Sequence, residues 1–347
     1  RLVKQFEKIR NVMQTAQKIY QMGGVTDVDN VDNLVAMLRE DVYNFLKDNT
    51  IEIDDGTIHE TIDKVVEELS SWQVKPICPT WYTTLDDMIR GYGEWQLWTI
   101  AWATWQGKTT IALNLFLNAV KQKKKSAFFT IEMSKEEIIR KMLSNLSDVD
   151  YSKMCGNIQQ ETIDAVNNVW VKKLKAMTDS IFVVDWVSRY EDVVSRIYLL
   201  ADKGCKVFFI DYIQLLSGNK QLNRQLEIGE MTSWLKRLAN ELKVCIVILS
   251  QISRTAGKDR ADWKPTLQDL TWSSSIEHDS TVVLMLYSRY LADWPEFVEW
   301  NDRYLLEILV RKNRFWSLWD APVFFFRDKS RVENIPDEEL EAIRFSL

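Results

Sequence analysis

The sequence predicts an α/β protein with a mostly parallel central sheet, preceded by a small helical module. From Trp81 onward, short apolar runs alternate with helical patterns, which is typical of a parallel sheet with helices on both faces. Residues 1–72 instead show apolar positions only at helical spacing. We therefore divide the chain into a helical module at 1–72, a proline-containing linker at 73–80 and an α/β domain at 81–347.

The helical module is predicted to contain helices at residues 1–22, Asp29–Leu46 and Thr57–Leu69. Because the chain begins at Arg1, already inside a helical pattern, we expect it to be a piece of a longer protein. So small a module buries little apolar surface alone. It either packs on its own chain or connects to a neighbouring subunit, and the sequence leaves both alternatives open.

The α/β domain is predicted from the period of its apolar residues. Strands are expected at Leu97–Ala101, Ala127–Ile131, Ile181–Asp185, Val207–Ile210, Val244–Leu249 and Thr281–Tyr287. Helices are expected at Thr109–Lys121, Lys135–Leu146, Glu161–Met177, Glu191–Ala201 and Leu222–Leu242. Two further apolar runs, Tyr304–Val310 and Pro322–Phe326, flank a basic loop and predict an antiparallel hairpin.

Net charge, the cysteines and histidines, and the lengths of apolar runs limit which class of protein this chain can be. The net charge of −6 gives no global basic field, which only weakly disfavours nucleic acid because a local basic channel can coexist with an acidic exterior. The widely spaced cysteines contain no CxxC pair and indicate reduced core residues. Two histidines argue against a histidine-based metal site. No apolar run reaches the ~18 residues of a membrane span and no signal peptide is visible, so we expect a cytoplasmic protein with no membrane attachment.

The pattern that carries most of the chemistry is a phosphate-binding loop. An apolar strand, a short loop and a helix that opens with Gly107-Lys108-Thr109 match the second half of GxxxxGK[ST]. Amides at the helix start bind an anion, Lys108 can reach β and γ phosphates, and the Thr109 hydroxyl can hold Mg²⁺. The residues predicted to bind ATP are Ala103, Thr104, Trp105, Gln106, Gly107, Lys108, Thr109 and Thr110.

The first position of that pattern is Trp102 instead of a small residue, and Trp105 lies inside the loop. Glycine permits the positive φ that such loops need, whereas tryptophan resists it at a cost of about 1–3 kcal/mol. The chain has 15 tryptophans and 11 glycines. Several tryptophans stand where turns ordinarily need glycine: Trp81, Trp95, Trp102, Trp105, Trp272, Trp316 and Trp319. Alteration of the protein, a recorded sequence that departs from the natural one, and a divergent solution to these turns all remain open.

Three polar residues that end strands complete the candidate catalytic set. Asp211 follows Val207–Ile210 and can hold Mg²⁺ through water, or simply cap the next helix. Glu132 follows the predicted strand that ends at Ile131 and can orient the attacking water, or serve as an acid at a helix N-terminus. Gln251 can sense the γ-phosphate, or be an ordinary polar residue at a strand end.

Together these residues resemble the hexameric replicative DNA helicases of the DnaB type. The motifs in matching order and spacing are Gly107-Lys108-Thr109-Thr110, Thr130-Ile131-Glu132-Met133, Ile210-Asp211-Tyr212-Ile213-Gln214-Leu215, Leu249-Ser250-Gln251-Ile252-Ser253-Arg254 and Ser275-Ile276-Glu277-His278-Asp279. The tail motif Lys312-Asn313-Arg314-Phe315 is similar both to these helicases and to the related RadA proteins. The resemblance covers about residues 78–330, and the helical stretch before it resembles the end of the family's linker region.

The resemblance implies a RecA-like P-loop NTPase core that works as a homohexameric ring with ATP and Mg²⁺ between neighbours. Lys108, Thr109, Glu132 and Asp211 would serve their own subunit. Lys312 and Arg314 would reach across, with Arg314 as an arginine finger, although residues 311–314 can also be read as a solvated hairpin tip. The family pattern has glycine after this motif, where Trp316 stands here.

The resemblance also implies single-stranded DNA bound by loops at Ser217–Leu226 and Asp269–Ser274, each of which can also be read as an ordinary polar loop. The predicted DNA-binding residues are Lys220, Asn223, Arg224, Asp269, Thr271, Trp272 and Ser273. A primase and a helicase loader are the further partners that it implies. The main hypothesis is an ATP-driven replicative helicase that translocates on single-stranded DNA and unwinds duplex. The alternatives are a RadA-like DNA-remodelling ATPase, and a nucleotide-dead structural subunit whose phosphate site is filled by Trp102 and Trp105.

Overall fold

The structure is a computed structural model, and it describes residues 62–63, 65–67, 76–102, 107–156, 158–167, 170–218, 223–252, 264–270, 273–288, 303–314 and 318–344. The chain divides into two compact units, Arg1–Val74 and Lys75–Leu347. Within the first unit, the described residues 62–63 and 65–67 are helical. The helices predicted at 1–22 and Asp29–Leu46 lie outside the described residues, and the division at 1–72, 73–80 and 81–347 stays a prediction.

The described part of the second unit alternates strands and helices. Its strands are β1 Gln96–Trp102, β2 Ser126–Thr130, β3 Ile181–Asp185, β4 Val207–Asp211, β5 Cys245–Gln251, β6 Val282–Tyr287, β7 Tyr304–Asn313, β8 Asp320–Phe326 and β9 Arg331–Asn334. Its α-helices are α1 Thr83–Ile89, α2 Lys108–Lys121, α3 Lys135–Ser147, α4 Gln160–Asn167, α5 Trp170–Ala176, α6 Tyr190–Asp202, α7 Arg224–Leu242, α8 Ser273–Asp279 and α9 Asp337–Arg344.

Within the described residues, one nine-stranded sheet organises the unit, in the order β3-β2-β4-β5-β1-β6-β7-β8-β9. The strands from β3 to β6 pair in parallel. The last three, β7, β8 and β9, pair antiparallel at one side. Every residue of β2 and β4 is buried, as expected for parallel strands covered on both faces. The predicted α/β fold with a mostly parallel sheet is confirmed.

The hydrophobic core has two layers because successive strand residues point to opposite faces of the sheet. On one face, Phe209 packs with Phe116 of α2 and with Phe128. On the other face, Phe208 belongs to a cluster with Leu235 of α7. The sheet is thereby fixed between helices, and the carboxyl ends of its parallel strands are held along one edge.

Three sequence predictions about the elements need correction. The helix predicted at Glu161–Met177 is present as two helices, α4 and α5. Part of the predicted basic loop is strand, since Lys312 and Asn313 of β7 pair with Val283 and Val282 of β6. The sequence analysis also missed α1, β9 and α9, which are short or largely polar. Among the described helices, none is both long and apolar enough to span a bilayer.

Candidate functional site

A cavity of about 490 Å³ opens at the edge where the parallel strands end. Clefts of about 300–1,000 Å³ at this edge of an α/β sheet are where ligands bind. Its lining includes Trp102 from the end of β1, Glu132 beyond β2, Tyr212 beyond β4 and Gln251 from the end of β5. The start of α2 supplies Gly107, Lys108, Thr109 and Thr110.

Gly107 precedes α2 in the left-handed conformation, with φ of 93°, and no side chain caps the helix there. The first amides of α2 therefore remain available to an anion in the cavity. A Cβ at this position would come within 3.0 Å of the Phe325 ring, so both the backbone and the space call for glycine. The other predicted loop residues, Ala103, Thr104, Trp105 and Gln106, lie outside the described residues.

Lys108 lies between two carboxylates. Its Nζ is 3.4 Å from Glu132 Oε2 and 3.9 Å from Asp211 Oδ1. The same ammonium lies 3.2 Å from the centroid of the Tyr212 ring, a cation–π contact. The side chain is thus held inside the cavity, at the place where an anionic ligand would compete with Glu132 for its charge.

Thr109 and Asp211 form the most buried polar pair of the site. The Thr109 hydroxyl donates to Asp211 Oδ2 at 2.6 Å, and Asp211 is only 1% exposed. Burial raises the pKa of Asp211, and Lys108 and the Thr109 hydroxyl oppose this rise. Asp211 Oδ1 is buried without a hydrogen-bond donor among the described residues. A hydroxyl beside an unsatisfied carboxylate oxygen is a donor set that fits Mg²⁺, which binds proteins through a few oxygen ligands.

Neither carboxylate of the site caps a helix. Ser134 caps α3, and Glu137 completes that capping box by accepting the Ser134 amide at 2.8 Å. Glu132 is thus free of that role, and its half-exposed carboxylate contacts Lys108. The short helical turn after β4, Ile213–Leu215, has Tyr212 as its N-cap residue and no side-chain cap, so Asp211 does not cap it.

The sequence analysis missed several residues around the cavity. The Gln214 carboxamide donates to Ser250 Oγ at 2.7 Å and joins the segment after β4 to the end of β5 beside Gln251. Tyr151 is held against the β8–β9 turn, because its amide donates to the Asp328 carbonyl at 2.7 Å. The further lining residues that were not predicted are Met133, Lys141, Tyr151, Ser152, Tyr212, Phe325, Arg327, Asp328 and Ser330. Met133 and Tyr212 directly follow Glu132 and Asp211 in motifs of the sequence, whereas no local pattern marks the others, which the folded sheet alone brings together.

Lys312 and Arg314 lie away from this cavity. The Lys312 ammonium donates to the carbonyl of Glu277 and, at 3.2 Å, to that of His278. The Arg314 guanidinium donates to the His278 carbonyl at 2.8 Å. Partial burial and the charge of Arg314 lower the pKa of Lys312. Both cations thus bind the carboxyl-terminal end of α8, and neither lines the cavity of its own chain.

The described members of the predicted DNA-binding set contact their own chain. Asn223 caps α7 by accepting the Leu226 amide at 2.9 Å. Arg224 donates to the carbonyls of Gln214 and Leu216, each at 2.8 Å, and pairs with Glu227. The Asp269 carboxylate accepts the Thr266 amide at 2.7 Å. Ser273 begins α8. The remaining three, Lys220, Thr271 and Trp272, lie outside the described residues.

Comparison with known proteins places this geometry in context. The profile of the family described as DnaB-like helicase C terminal domain matches residues 78–334. The chain is 33% identical over 254 residues to a probable plasmid replicative DNA helicase of Chlamydia psittaci, covering 71% of this chain and 53% of the relative. It is 27% identical over 348 residues to the replicative DNA helicase DnaC of Bacillus subtilis, covering 96% and 74%. The chain therefore spans about half the length of the first relative and three quarters of the second.

Solved structures give the same result for the fold. One solved structure, described as an ATPase domain, superimposes with a TM-score of 0.72 at 25% identity, covering 82% of this chain and all of that domain. A DnaB-like replicative helicase, whose structure was described together with its interactions with primase, superimposes with a TM-score of 0.70 at 24% identity. That match covers 96% of this chain and 78% of the other, and it shows a shared fold.

Proposed function

This chain belongs to the DnaB-like helicase family, and from that premise we propose that it is the ATP-driven motor of a replicative DNA helicase. The motor translocates on single-stranded DNA and unwinds duplex ahead of it. The observation that carries the proposal is the cluster of Lys108, Thr109, Glu132 and Asp211 at the carboxyl edge of the sheet, directly beside the glycine-led start of α2.

Within one subunit, the free amides of α2 and the Lys108 ammonium bind the β and γ phosphates of ATP. When ATP binds, its γ-phosphate replaces the Glu132 carboxylate as the partner of the Lys108 ammonium; Glu132 Oε2 lies 3.4 Å from Lys108 Nζ. Glu132 then orients the attacking water and accepts its proton. Thr109 and Asp211 would hold Mg²⁺, which would supply positive charge to offset that of the β and γ phosphates.

The neighbouring subunit supplies the remaining charge. Lys312 and Arg314 leave the carbonyls at the end of α8 and reach the γ-phosphate held by the next chain in a homohexameric ring. A guanidinium that neutralises charge developing on the phosphoryl group makes hydrolysis depend on the geometry of the ring.

Single-stranded DNA passes along loops at 217–226 and 269–274, with Lys220 as the predicted phosphate contact. Lysine, arginine and backbone amides give a grip that is independent of sequence and sensitive to salt, as translocation requires. Asn223 and Asp269 shape these loops through their own hydrogen bonds. A primase is the partner suggested by the primase interactions described for the structural relative, and a helicase loader is a further expected partner.

One observation favours a second candidate function. Trp102 is buried at the end of β1 and lines the same cavity as Gly107 and Lys108. If its indole and that of Trp105 exclude ATP, the chain is a structural DNA-binding subunit without hydrolysis. The RadA-like alternative has no comparable observation in its favour, since the relatives described above are replicative helicases.

Hydrolysis of ATP in the presence and absence of single-stranded DNA tests the proposal. We expect DNA-stimulated hydrolysis that the Lys108→Ala variant lacks, with Lys123→Ala, an exposed lysine near the far end of α2, as the matched control. The double variant Trp102→Gly/Trp105→Gly is measured beside them. ATP hydrolysis only in the double variant would mean that the chain with tryptophan at both positions is a disabled motor. Inactivity of both at the Lys108→Ala level would refute the motor function.

A further inference from the structure

Three tryptophans hold a backbone conformation that suits glycine. Trp81, Trp95 and Trp186 have φ values of 70°, 62° and 56°. A bulky residue in this region is an outlier, because its Cβ crowds the following carbonyl. Arg90, Asp148 and Lys243, by contrast, directly follow helices, which routinely end in this conformation. The three tryptophans occur in turns beside α1, β1 and β3.

The backbones of Trp81 and Trp95 form hydrogen bonds, whereas all three indoles are largely exposed. The Trp81 amide donates to Asp86 at 2.9 Å, and its carbonyl accepts from Asn334 at 2.7 Å. The Trp95 carbonyl accepts from Lys236. The side chains of Trp81, Trp95 and Trp186 are nevertheless 45%, 50% and 79% exposed. Because these large apolar side chains are neither buried nor required by their turns, no packing energy offsets the backbone strain.

Trp98, by contrast, is a tryptophan whose side chain packs in the core of the protein. It is fully buried in β1 and stacks on Tyr92 with ring centroids 4.9 Å apart. Its indole nitrogen donates to Gln96 Oε1 at 2.6 Å. Buried indoles normally combine apolar packing with a satisfied N–H in this way. Among the described residues, Trp98 thus differs from Trp81, Trp95 and Trp186, which are largely exposed at positive φ.

The nucleotide site repeats the mismatch. Trp102 stands at the first glycine position of the phosphate-loop pattern and lines the cavity, and Trp105 follows within the loop. Across the chain, 15 tryptophans accompany only 11 glycines in 347 residues. Globular proteins average about 7% glycine, so the chain has about half the glycine that its length predicts.

We propose that a codon read as tryptophan in this sequence is translated as glycine in the cell that makes the protein. Glycine then occupies positions 81, 95, 102, 105 and 186 of the working chain, and tryptophan stays at 98. The assignment at 81, 95 and 186 stands on the backbone alone, whereas that at 102 and 105 also rests on the proposed function. Its functional consequence is an open phosphate loop, in which no indole competes with ATP.

One tryptic peptide tests the proposal directly. Cleavage after Arg90 and Lys108 releases Gly91–Lys108, which contains positions 95, 98, 102 and 105. Mass spectrometry of this peptide from the protein isolated from its source cells should read glycine at 95, 102 and 105 and tryptophan at 98. Tryptophan at 95, 102 or 105 would overturn the proposal. Glycine at all three, with no ATP hydrolysis by Trp102→Gly/Trp105→Gly, would refute the proposed function and leave this inference standing.

Thermal unfolding of the printed chain provides a second, independent measurement. The triple variant Trp81→Gly/Trp95→Gly/Trp186→Gly should raise Tm by roughly 2–4 °C, because glycine relieves the strained turns. Trp98→Gly is the matched control and should lower Tm, since it empties a buried site. A triple variant with unchanged or lowered Tm would contradict the assignment of these turns as glycine positions.

Discussion

Two groups of cations in this protein have opposite surroundings. Lys108 lies inside the cavity, between the carboxylates of Glu132 and Asp211 and against the Tyr212 ring. Lys312 and Arg314 instead bind backbone carbonyls at the end of α8, outside the cavity of their own chain. Lys108 thus has charged partners within its own chain, whereas the partners of Lys312 and Arg314 are neutral carbonyl groups.

The contrast indicates how the two groups are used. A helix end carries only a fraction of a charge, so its carbonyls hold a cation in place without competing strongly with a phosphate. The carboxylates around Lys108 compete more strongly with a phosphate for its ammonium. Under the proposed function, the Glu132 carboxylate that the phosphate displaces is then available to orient water. Under the proposed function, Lys108 and its carboxylates form a cis site that binds ATP within one chain. Lys312 and Arg314 form a trans pair that can transfer to a neighbouring subunit.

The largest expected effect comes from Arg314→Ala. Hydrolysis should fall by about 10³–10⁵-fold, the usual contribution of an arginine finger, while ATP binding persists because the cis residues are intact. Steady-state hydrolysis and fluorescent-nucleotide binding measure the two quantities. Arg196→Ala, an exposed arginine on α6, is the matched control and should leave both unchanged.

Mixing variants separates trans from cis action. Lys108→Ala and Arg314→Ala subunits are each inactive alone, but a mixed ring contains interfaces with an intact Lys108 on one side and an intact Arg314 on the other. Activity should therefore reappear on mixing. A mixture as inactive as its components would mean that Arg314 serves its own chain.

Glu132→Gln should have the next largest effect. Loss of the carboxylate that orients water lowers hydrolysis by about 10²–10⁴-fold. ATP affinity should be kept or increased, because Lys108 no longer leaves an ion pair to meet the phosphate. Single-turnover hydrolysis and nucleotide titration check both points. Glu136→Gln, an exposed acid in the first turn of α3, is the control. Weakened ATP binding in Glu132→Gln would show that Glu132 positions the nucleotide instead of the water.

The smallest expected effect concerns the anchoring of the trans pair. Lys264 donates to the Glu307 carboxylate at 2.6 Å and to Asp320 at 3.0 Å, and Arg311 of the same strand as Lys312 pairs with Asp320 at 2.8 Å. Lys264→Met leaves the buried Glu307 carboxylate without this cation. The free energy of unfolding should fall by about 1–3 kcal/mol at neutral pH, discounted for the partial exposure of Lys264. DNA-stimulated hydrolysis should fall only a few-fold.

The pH dependence of this loss follows from Glu307. Burial raises its pKa, and Lys264 opposes the rise. A carboxyl group whose pKa is raised on folding favours the folded state while it is protonated, and that contribution is lost as pH rises through the raised pKa. The destabilisation by Lys264→Met should therefore be smaller near pH 4–5 than at neutral pH in chemical denaturation. Glu307→Gln in the same background should recover part of the loss, and an equal loss at both pH values would contradict the assignment.

The sequence predicted the parts of this site that follow from strand ends. Asp211 and Lys108 come together because parallel strands end at one edge, and the apolar runs before them mark those strands. Tyr151 and Phe325 carry no such mark. They reach the cavity only because the antiparallel strands fold back over α2, where Asn114 accepts the Val332 amide at 3.0 Å. Asn114 and Val332 are more than two hundred residues apart in the chain, so their hydrogen bond produces no periodic pattern in the sequence.

The same limit applies to the trans pair. The resemblance of Lys312-Asn313-Arg314-Phe315 to the family's tail motif singled out Lys312 and Arg314, but the surrounding sequence suggested a loop. Pairing with β6 extends β7 to Asn313, and Arg314 follows directly after the strand. The register of two strands, which depends on side-chain packing along their whole length, decides this and is not readable from a tetrapeptide.

The Phe325 ring lies beside Gly107, where it would crowd any added Cβ, and this placement has a mechanical consequence. Phe325 belongs to β8 and pairs with Tyr304, where β7 begins, while Lys312 lies near the other end of β7. Together these two strands connect a residue that lines the chain's own nucleotide cavity with a cation that the proposed function assigns to the next chain. Under that proposed function, a change at the cavity as phosphate enters or leaves would be transmitted along the paired strands to Lys312. In a closed ring, each site would then pass its state to one neighbour, always in the same direction.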